Sequence, residues 1–199
     1  QAIQDYLSSN AISAEDVNVI SASGTQSGVF NPRVVFVDPG VANYQQLIAD
    51  MPANATIVVL DATRDGVQQI HDYLAANAGL VDAIDIVADI ASLDVVSHGG
   101  AGEVTLGSTV LSSANLAEYE AQLAAIGDML TENGDILIYG CDVAAGAEGQ
   151  QFIQQLATVT GADVAASTDL TGSASAGGNW NLEASTGTIE TAVISDPAY

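Results

Sequence analysis

The chain reads Asp-Ile-Leu-Ile-Tyr-Gly-Cys over residues 135–141, and this stretch decides how the rest of the sequence is interpreted. Four consecutive apolar or aromatic residues between a charge and a glycine are typical of a strand buried on both faces of a sheet. Such strands belong to parallel sheets that helices cover on both sides. Cys141 is therefore predicted to lie just beyond the carboxyl end of a central strand.

Similar apolar runs recur along the chain and alternate with segments whose apolar residues have helical spacing. The runs predicted as strands are 34–37, 56–60, 93–97 and 162–167. The segments predicted as helices are 44–51, 67–74, 116–130 and 149–159. This alternation predicts an α/β fold, a three-layer α/β/α sandwich with a mostly parallel central sheet.

The chain divides into a short extension and one domain. Residues 1–32 are predicted to be an N-terminal extension and linker, because residues 21–28 are small and polar. Residues 33–199 form the predicted α/β domain. Within it, residues 103–111 have the pattern of a hairpin that turns at Gly107 and Ser108, and residues 178–194 are predicted to close the domain with β structure.

The charge of the chain excludes several classes of partner. Two basic residues, Arg33 and Arg64, stand against 25 acidic residues, which gives a formal net charge of −23. Nucleic-acid binding needs a basic surface, so no nucleic-acid partner is expected. Docking on anionic lipid is disfavoured for the same reason, and the apolar runs are too short for membrane insertion. The acidic, lysine-free composition suits an extracellular setting.

The residues that commonly bind metals are few or poorly spaced. Cys141 is the single cysteine, which excludes a disulfide within the chain and any multi-cysteine zinc site. No metal site and no required cofactor are predicted. The aspartates at 82, 85, 89 and 94 lack the spacing of an EF-hand loop. Two interpretations stay open for them, a solvated acidic face or weak calcium binding at the surface.

One pair of residues could carry out chemistry. His98 follows one predicted strand and Cys141 follows another, with a hairpin and a helix between the two strands. Neighbouring parallel strands would bring both side chains to the same edge of the sheet. There, the imidazole could exchange a proton with the thiol, which attacks carbonyl carbon as a thiolate. The backbone N–H groups of Gly99 and Cys141 could stabilise the resulting oxyanion.

Structural interpretations compete with this chemistry. A lone cysteine beside an apolar strand is commonly a small buried core residue. His98 could be an ordinary loop residue, and Asp38 and Asp61 at other strand ends could cap helices. His71 lies on a predicted helical face, where a structural or solvated role is the natural expectation.

Several separated blocks of the chain resemble a known family. The blocks are 34–38, 95–99, 135–144, 165–172 and 178–183. Together they resemble DUF4347, a domain of very large bacterial surface and adhesin-like proteins. The His-Gly and Gly-Cys blocks are in turn similar to the caspase, gingipain and legumain clan of cysteine peptidases. This resemblance implies a caspase-like fold with a catalytic dyad of His98 and Cys141, and with Gly99 beside the oxyanion.

The resemblance also implies a function, with one alternative. The expected activity is that of a cysteine endopeptidase on a polypeptide substrate, such as the large parent protein, at the bacterial cell surface or outside the cell. Asp38 and Asp169 are expected to line the specificity pocket, which would favour a basic residue before the scissile bond. The alternative is a catalytically silent module that serves an adhesin as a folded spacer or binding surface.

Overall fold

The computed structural model describes residues 19–21, 33–51, 53, 55–77 and 90–194. These residues form an α/β fold around a mostly parallel sheet, which confirms these two parts of the predicted fold class. Among the helices of the described residues, none is both long enough and apolar enough to cross a membrane.

The main sheet contains both inner and edge strands. Its strands are β1 (Val19–Ser21), β2 (Arg33–Val37), β3 (Ala55–Val59), β4 (Ile90–Val96), β8 (Leu130–Tyr139), β9 (Asp163–Ala166) and β10 (Ala184–Ser185). Across the sheet the order is β1-β3-β2-β4-β8-β9-β10. The strands from β3 to β9 in that order are parallel, whereas β1 and β10 pair antiparallel at the two edges. The sheet thus places β4 directly beside β8.

A small second sheet and four helices complete the described fold. The small sheet comprises β5 (Gly99–Gly100), β6 (Glu103–Leu106) and β7 (Thr109–Ser112). The helices are α1 (Tyr44–Ala49), α2 (Gly66–Asn77), α3 (Glu120–Asp128) and α4 (Gly146–Thr160), with short 3-10 turns at Leu116–Tyr119 and Ala174–Ala176. Strands β6 and β7 pair antiparallel around Gly107 and Ser108, as the hairpin prediction requires.

Two clusters of apolar side chains lie on the two faces of the main sheet. Ile136 and Ile138 of β8 belong to a cluster that includes residues of α2, α3 and α4. Leu137 and Tyr139 belong to the other cluster, together with Leu47 of α1. Since successive side chains of a strand point to opposite faces, both faces must be covered, and this explains the continuous apolar run.

The closing segment of the domain differs from the prediction of β structure over residues 178–194. Only Ala184–Ser185 is a strand, so the prediction is wrong for most of these residues. Most of the segment has no neighbouring strand to pair with among the described residues. Side chains of the main sheet form hydrogen bonds with its backbone instead. The Tyr139 hydroxyl accepts a hydrogen bond from the Ile194 N–H at 2.8 Å, and Arg33 Nη1 donates to the Ala192 carbonyl at 2.7 Å.

One part of the predicted N-terminal extension contributes to the main sheet. The backbone of Val19–Ser21 forms β1, which pairs antiparallel with β3 in a register that places Val19 opposite Val58. The other residues of the extension lie outside the described residues. The predicted boundary between extension and domain at residue 33 stays a prediction.

Candidate active site

The carboxyl ends of the five parallel strands meet at one edge of the main sheet. The register places Val96 of β4 opposite both Val37 of β2 and Tyr139 of β8. The Ser97 N–H extends the pairing by donating to the Tyr139 carbonyl at 3.1 Å. The loops that carry His98 and Cys141 therefore begin at the same level on neighbouring strands, as the sequence predicts.

The two loops pack backbone against backbone. A Cβ atom added at Gly99 would lie 2.4 Å from Val143 Cγ2 and 2.9 Å from the Cys141 carbonyl oxygen. A Cβ atom added at Gly140 would lie 3.4 Å from the Gly99 nitrogen. Glycine at position 99 leaves room for this approach, since even a methyl group would force the neighbouring atoms to shift. This contact brings the backbone of Gly99 directly beside Cys141.

The imidazole of His98 is oriented by the loop that follows β2. His98 is exposed, and its Nε2 atom lies 3.0 Å from the Gly40 carbonyl oxygen. Because a carbonyl oxygen only accepts hydrogen bonds, Nε2 must carry the hydrogen. In the neutral ring Nδ1 is then the atom that can accept a proton.

This geometry predicts the tautomer of the neutral imidazole. We expect His98 to be protonated at Nε2, because its hydrogen bond to the Gly40 carbonyl excludes the other tautomer. Long-range ¹H–¹⁵N correlation spectra measure this directly, and the chain has only one other histidine to assign, His71. A neutral His98 protonated at Nδ1 would contradict the arrangement. The His71→Ala variant provides the assignment control.

Asp38 fixes the loop that holds His98. The carboxylate is buried, with 4% of the residue exposed. Its Oδ1 accepts a hydrogen bond from the Gly40 N–H at 2.7 Å, and its Oδ2 accepts one from the Gly107 N–H at 2.7 Å. Asp38 thus positions the same residue whose carbonyl orients His98. The role of Asp38 as a wall of a specificity pocket stays a prediction.

The thiol of Cys141 faces the loop on the other side. Cys141 is half-buried, and its Sγ lies 3.7 Å from the Thr171 carbonyl oxygen, to which the thiol donates. The thiol and the imidazole do not hydrogen-bond to each other. Each is held by a different loop, His98 by the loop after β2 and Cys141 by the loop after β9. A proton transfer from the thiol to His98 would require the thiol to give up its hydrogen bond to Thr171.

The turn directly after Cys141 has an unusual backbone conformation. Asp142 has a φ of 60°, which non-glycine residues adopt rarely. Its N–H donates to the Asp169 carbonyl at 2.8 Å, so the turn is bound to the loop after β9. Such conformations cost energy and cluster at functional sites. No local pattern in the sequence marks Asp142, because contacts with a distant loop fix its conformation.

The pairing of β5 with β6 does not use the N–H group of Gly99. The Thr105 N–H donates to the His98 carbonyl at 2.9 Å, and the next pair in the register is Gly99 with Val104. Antiparallel pairs alternate between hydrogen-bonded and non-hydrogen-bonded, so the Gly99 N–H is directed away from β6. Among the described residues, none accepts a hydrogen bond from the Cys141 N–H.

Two acidic side chains lie near Cys141, at the carboxyl edge of the main sheet. Asp169 is exposed, and its carboxylate accepts hydrogen bonds from Asn179 Nδ2 at 3.0 and 3.1 Å. Glu183 is also exposed and accepts a hydrogen bond from the Thr168 N–H at 2.8 Å. The sequence predicted Asp169 but not Glu183 or Thr171, because nothing local marks residues that meet only in the folded chain.

Residues 34–199 match the family model described as a domain of unknown function (DUF4347). The chain belongs to the DUF4347 family. No curated protein matches the chain. His98, Gly99, Cys141 and the loop after β9 all lie within the part that DUF4347 matches.

One of the four aspartates considered for calcium binding, Asp94, lies among the described residues of this DUF4347 domain. Asp94 is buried and accepts hydrogen bonds from Arg33 Nε at 2.8 Å and Nη2 at 2.6 Å. Its carboxylate is thus engaged by a guanidinium rather than directed to solvent. The other three residues of that group lie outside the described residues.

Proposed function

We propose that this domain is a cysteine endopeptidase with a caspase-like, three-layer architecture. The observation that carries the proposal is the position of His98 and Cys141 after adjacent parallel strands, with the Gly99 backbone packed against Cys141. The apolar clusters on both faces of the sheet support the layered architecture. The resemblance of the His-Gly and Gly-Cys blocks to caspase-like peptidases supports the chemistry.

Each group has a role in the proposed peptide hydrolysis. The Cys141 thiol rotates away from the Thr171 carbonyl and gives its proton to His98 Nδ1 as Sγ bonds to the scissile carbonyl carbon. The oxyanion accepts hydrogen bonds from the Gly99 and Cys141 N–H groups. His98 then returns the proton to the leaving amine. Water, deprotonated by His98, hydrolyses the thioester and releases the second product, and His98 then returns the proton to the Cys141 sulfur.

The charge around Cys141 indicates the substrate class. Asp169 and Glu183 both carry exposed carboxylates near the thiol. Asp169 lies in the loop after β9, and Glu183 directly precedes β10. They would favour a basic residue before the scissile bond, as the sequence predicts for Asp169. The proposed substrate is a polypeptide, including the parent protein at a bacterial surface or outside the cell. The chemistry requires no cofactor, and the net charge of −23 disfavours nucleic acid as a partner.

A covalent probe tests this proposal. A peptidyl acyloxymethyl ketone with arginine next to the reactive group should add once per chain, because Cys141 is the single cysteine. Intact mass measures the adduct. We expect His98→Ala to slow the labelling by about 100-fold or more, since general acid–base catalysis contributes about 10²–10⁴-fold. His71→Ala is the matched control and should label as fast as the wild type.

The alternative is a silent module of an adhesin. The hydrogen bond of the thiol to Thr171, rather than to His98, favours this function. Labelling by iodoacetamide distinguishes the two, because it reports exposure of the thiol without a need for peptide recognition. Equal rates with iodoacetamide and the peptidyl probe, both independent of His98, would favour the silent module.

A further inference from the structure

Three carboxylates converge away from the candidate active site. Asp135 of β8 pairs in register with Asp163, the first residue of β9, at the amino-terminal end of that strand. One carboxylate oxygen each of Asp135, Asp163 and Glu190 lie within 4.8 Å of one another. Cys141 follows the opposite, carboxyl end of β8. The carboxylate group is therefore separate from the proposed catalytic residues.

Asp135 is the unusual member of this group. The residue is 0% exposed, and its Oδ2 accepts hydrogen bonds from the N–H groups of Glu190 at 3.0 Å and Thr191 at 2.8 Å. Its Oδ1 is also buried and has no hydrogen-bond partner among the described residues. A buried carboxylate oxygen without a partner is costly, so this atom calls for a donor or a cation.

No basic side chain of the described residues supplies that cation. Of the two arginines, Arg33 lies nearer to Asp135 in the register of the main sheet. Its Nε and Nη2 bind Asp94, however, and its Nη1 binds the Ala192 carbonyl. Arg64, the only other basic residue besides the histidines, is exposed and lies beside Gly107 near the other end of the strands. The three carboxylates therefore have no compensating positive charge from an arginine.

We infer that Asp135, Asp163 and Glu190 bind one calcium ion, with Asp135 Oδ1 as the buried ligand. Calcium takes six to eight oxygen ligands at about 2.3–2.6 Å in irregular geometries. Two oxygens on opposite sides of such an ion are separated by at most about 5 Å, which agrees with the spacing of the three carboxylates. Magnesium demands a regular octahedron at about 2.0–2.1 Å and suits this group less well. Water completes the coordination.

The bound ion would stabilise the contact between the closing segment, residues 178–194, and the main sheet. A Cβ atom added at Gly187 would lie 2.1 Å from Asp163 Oδ1, so glycine lets the segment pass directly over that carboxylate. The Thr186 N–H donates to the Val164 carbonyl at 2.9 Å, which brings the segment back to β9. Glu190 then supplies its carboxylate from the same segment. Calcium would thus link β8, β9 and the residues that lead to Ile194.

Calorimetric titration with calcium chloride tests the inference on the chelator-treated chain in about 0.15 M NaCl, which screens exposed charges beyond about 8 Å. We expect one ion per chain. At a calcium concentration about 100 times Kd, the melting temperature should rise by about 5–10 °C. Hydrogen exchange at the amides of Glu190, Thr191 and Ile194 should slow with calcium. Magnesium chloride should give a smaller shift, and equal shifts would overturn the assignment to calcium.

Substitutions locate the site. Asp163→Asn and Glu190→Gln should each weaken calcium binding by about 10-fold or more. Both ligands are at least partly exposed, so these variants are expected to fold. The matched controls are Asp128→Asn and Glu132→Gln, which remove the same charge at exposed positions elsewhere. Calcium that stabilises all four variants equally would show general screening and would overturn the inference, as would a wild type without measurable binding.

Discussion

Replacing Arg33 with methionine is expected to lower the free energy of unfolding by about 3–5 kcal/mol, because it leaves Asp94 charged and buried without its partner. Asp94 is 0% exposed, and Arg33 binds both of its oxygens in a two-point contact. The same substitution also removes the hydrogen bond from Nη1 to the Ala192 carbonyl. Urea unfolding followed by the fluorescence of the single tryptophan, Trp180, measures the effect.

The chain contains its own control, since Arg64→Met removes the only other arginine, which is exposed. That variant should change the free energy of unfolding by no more than about 0.5 kcal/mol. The double variant Arg33→Met/Asp94→Leu should recover much of the loss, because an apolar pair can replace a buried ion pair at little cost. Equal effects of the two arginine substitutions would refute the structural role of Arg33.

The loss of stability should also depend on pH. Burial raises the pKa of Asp94 above its ordinary value, even though the hydrogen bonds from Arg33 oppose this. A carboxyl group with a raised pKa favours folding in its protonated form, so this contribution is present below about pH 3.9 and is lost as the pH rises through the folded pKa. Without Arg33 the folded pKa rises further. The deficit of Arg33→Met should therefore shrink as the pH falls toward 4.

Cys141→Ala is expected to reduce hydrolysis of a fluorogenic peptide with arginine before the scissile bond by about 10⁴-fold or more, given the proposed function. The substitution removes the only nucleophile of the proposed dyad and takes away only the hydrogen bond to Thr171. The ratio of kcat/KM between wild type and variant measures the loss. The half-buried position of the residue predicts that the variant folds normally.

Two comparisons separate catalysis from substrate recognition. Asp169→Asn should lower kcat/KM for the arginine peptide but leave a peptide with alanine at the same position nearly unchanged. Peptide hydrolysis that persists in Cys141→Ala at the wild-type rate would show that another protein in the preparation is responsible. In that case, the silent module becomes the better account of the domain.

Much of the fold follows from local sequence patterns. The run at residues 135–139 predicts a strand buried on both faces, and the structure divides its side chains between two apolar clusters. The hairpin at Gly107 and Ser108 is confirmed for a similar reason, since strand alternation and turn residues are local signals. The prediction of β structure for residues 178–194 is wrong because that segment is held by Tyr139 and Arg33, which are far away in the sequence.

The sequence by itself determined that His98 and Cys141 each follow a buried strand, because continuous apolar runs mark such strands. That these two strands are neighbours in the sheet was decided by the fold. Only the tertiary structure decided where their side chains point, toward Gly40 for the imidazole and toward Thr171 for the thiol. It also decided that Asp135 is a buried carboxylate beside Asp163 and Glu190. These features depend on contacts between loops and segments that are far apart in the sequence, and local residue patterns do not predict such contacts.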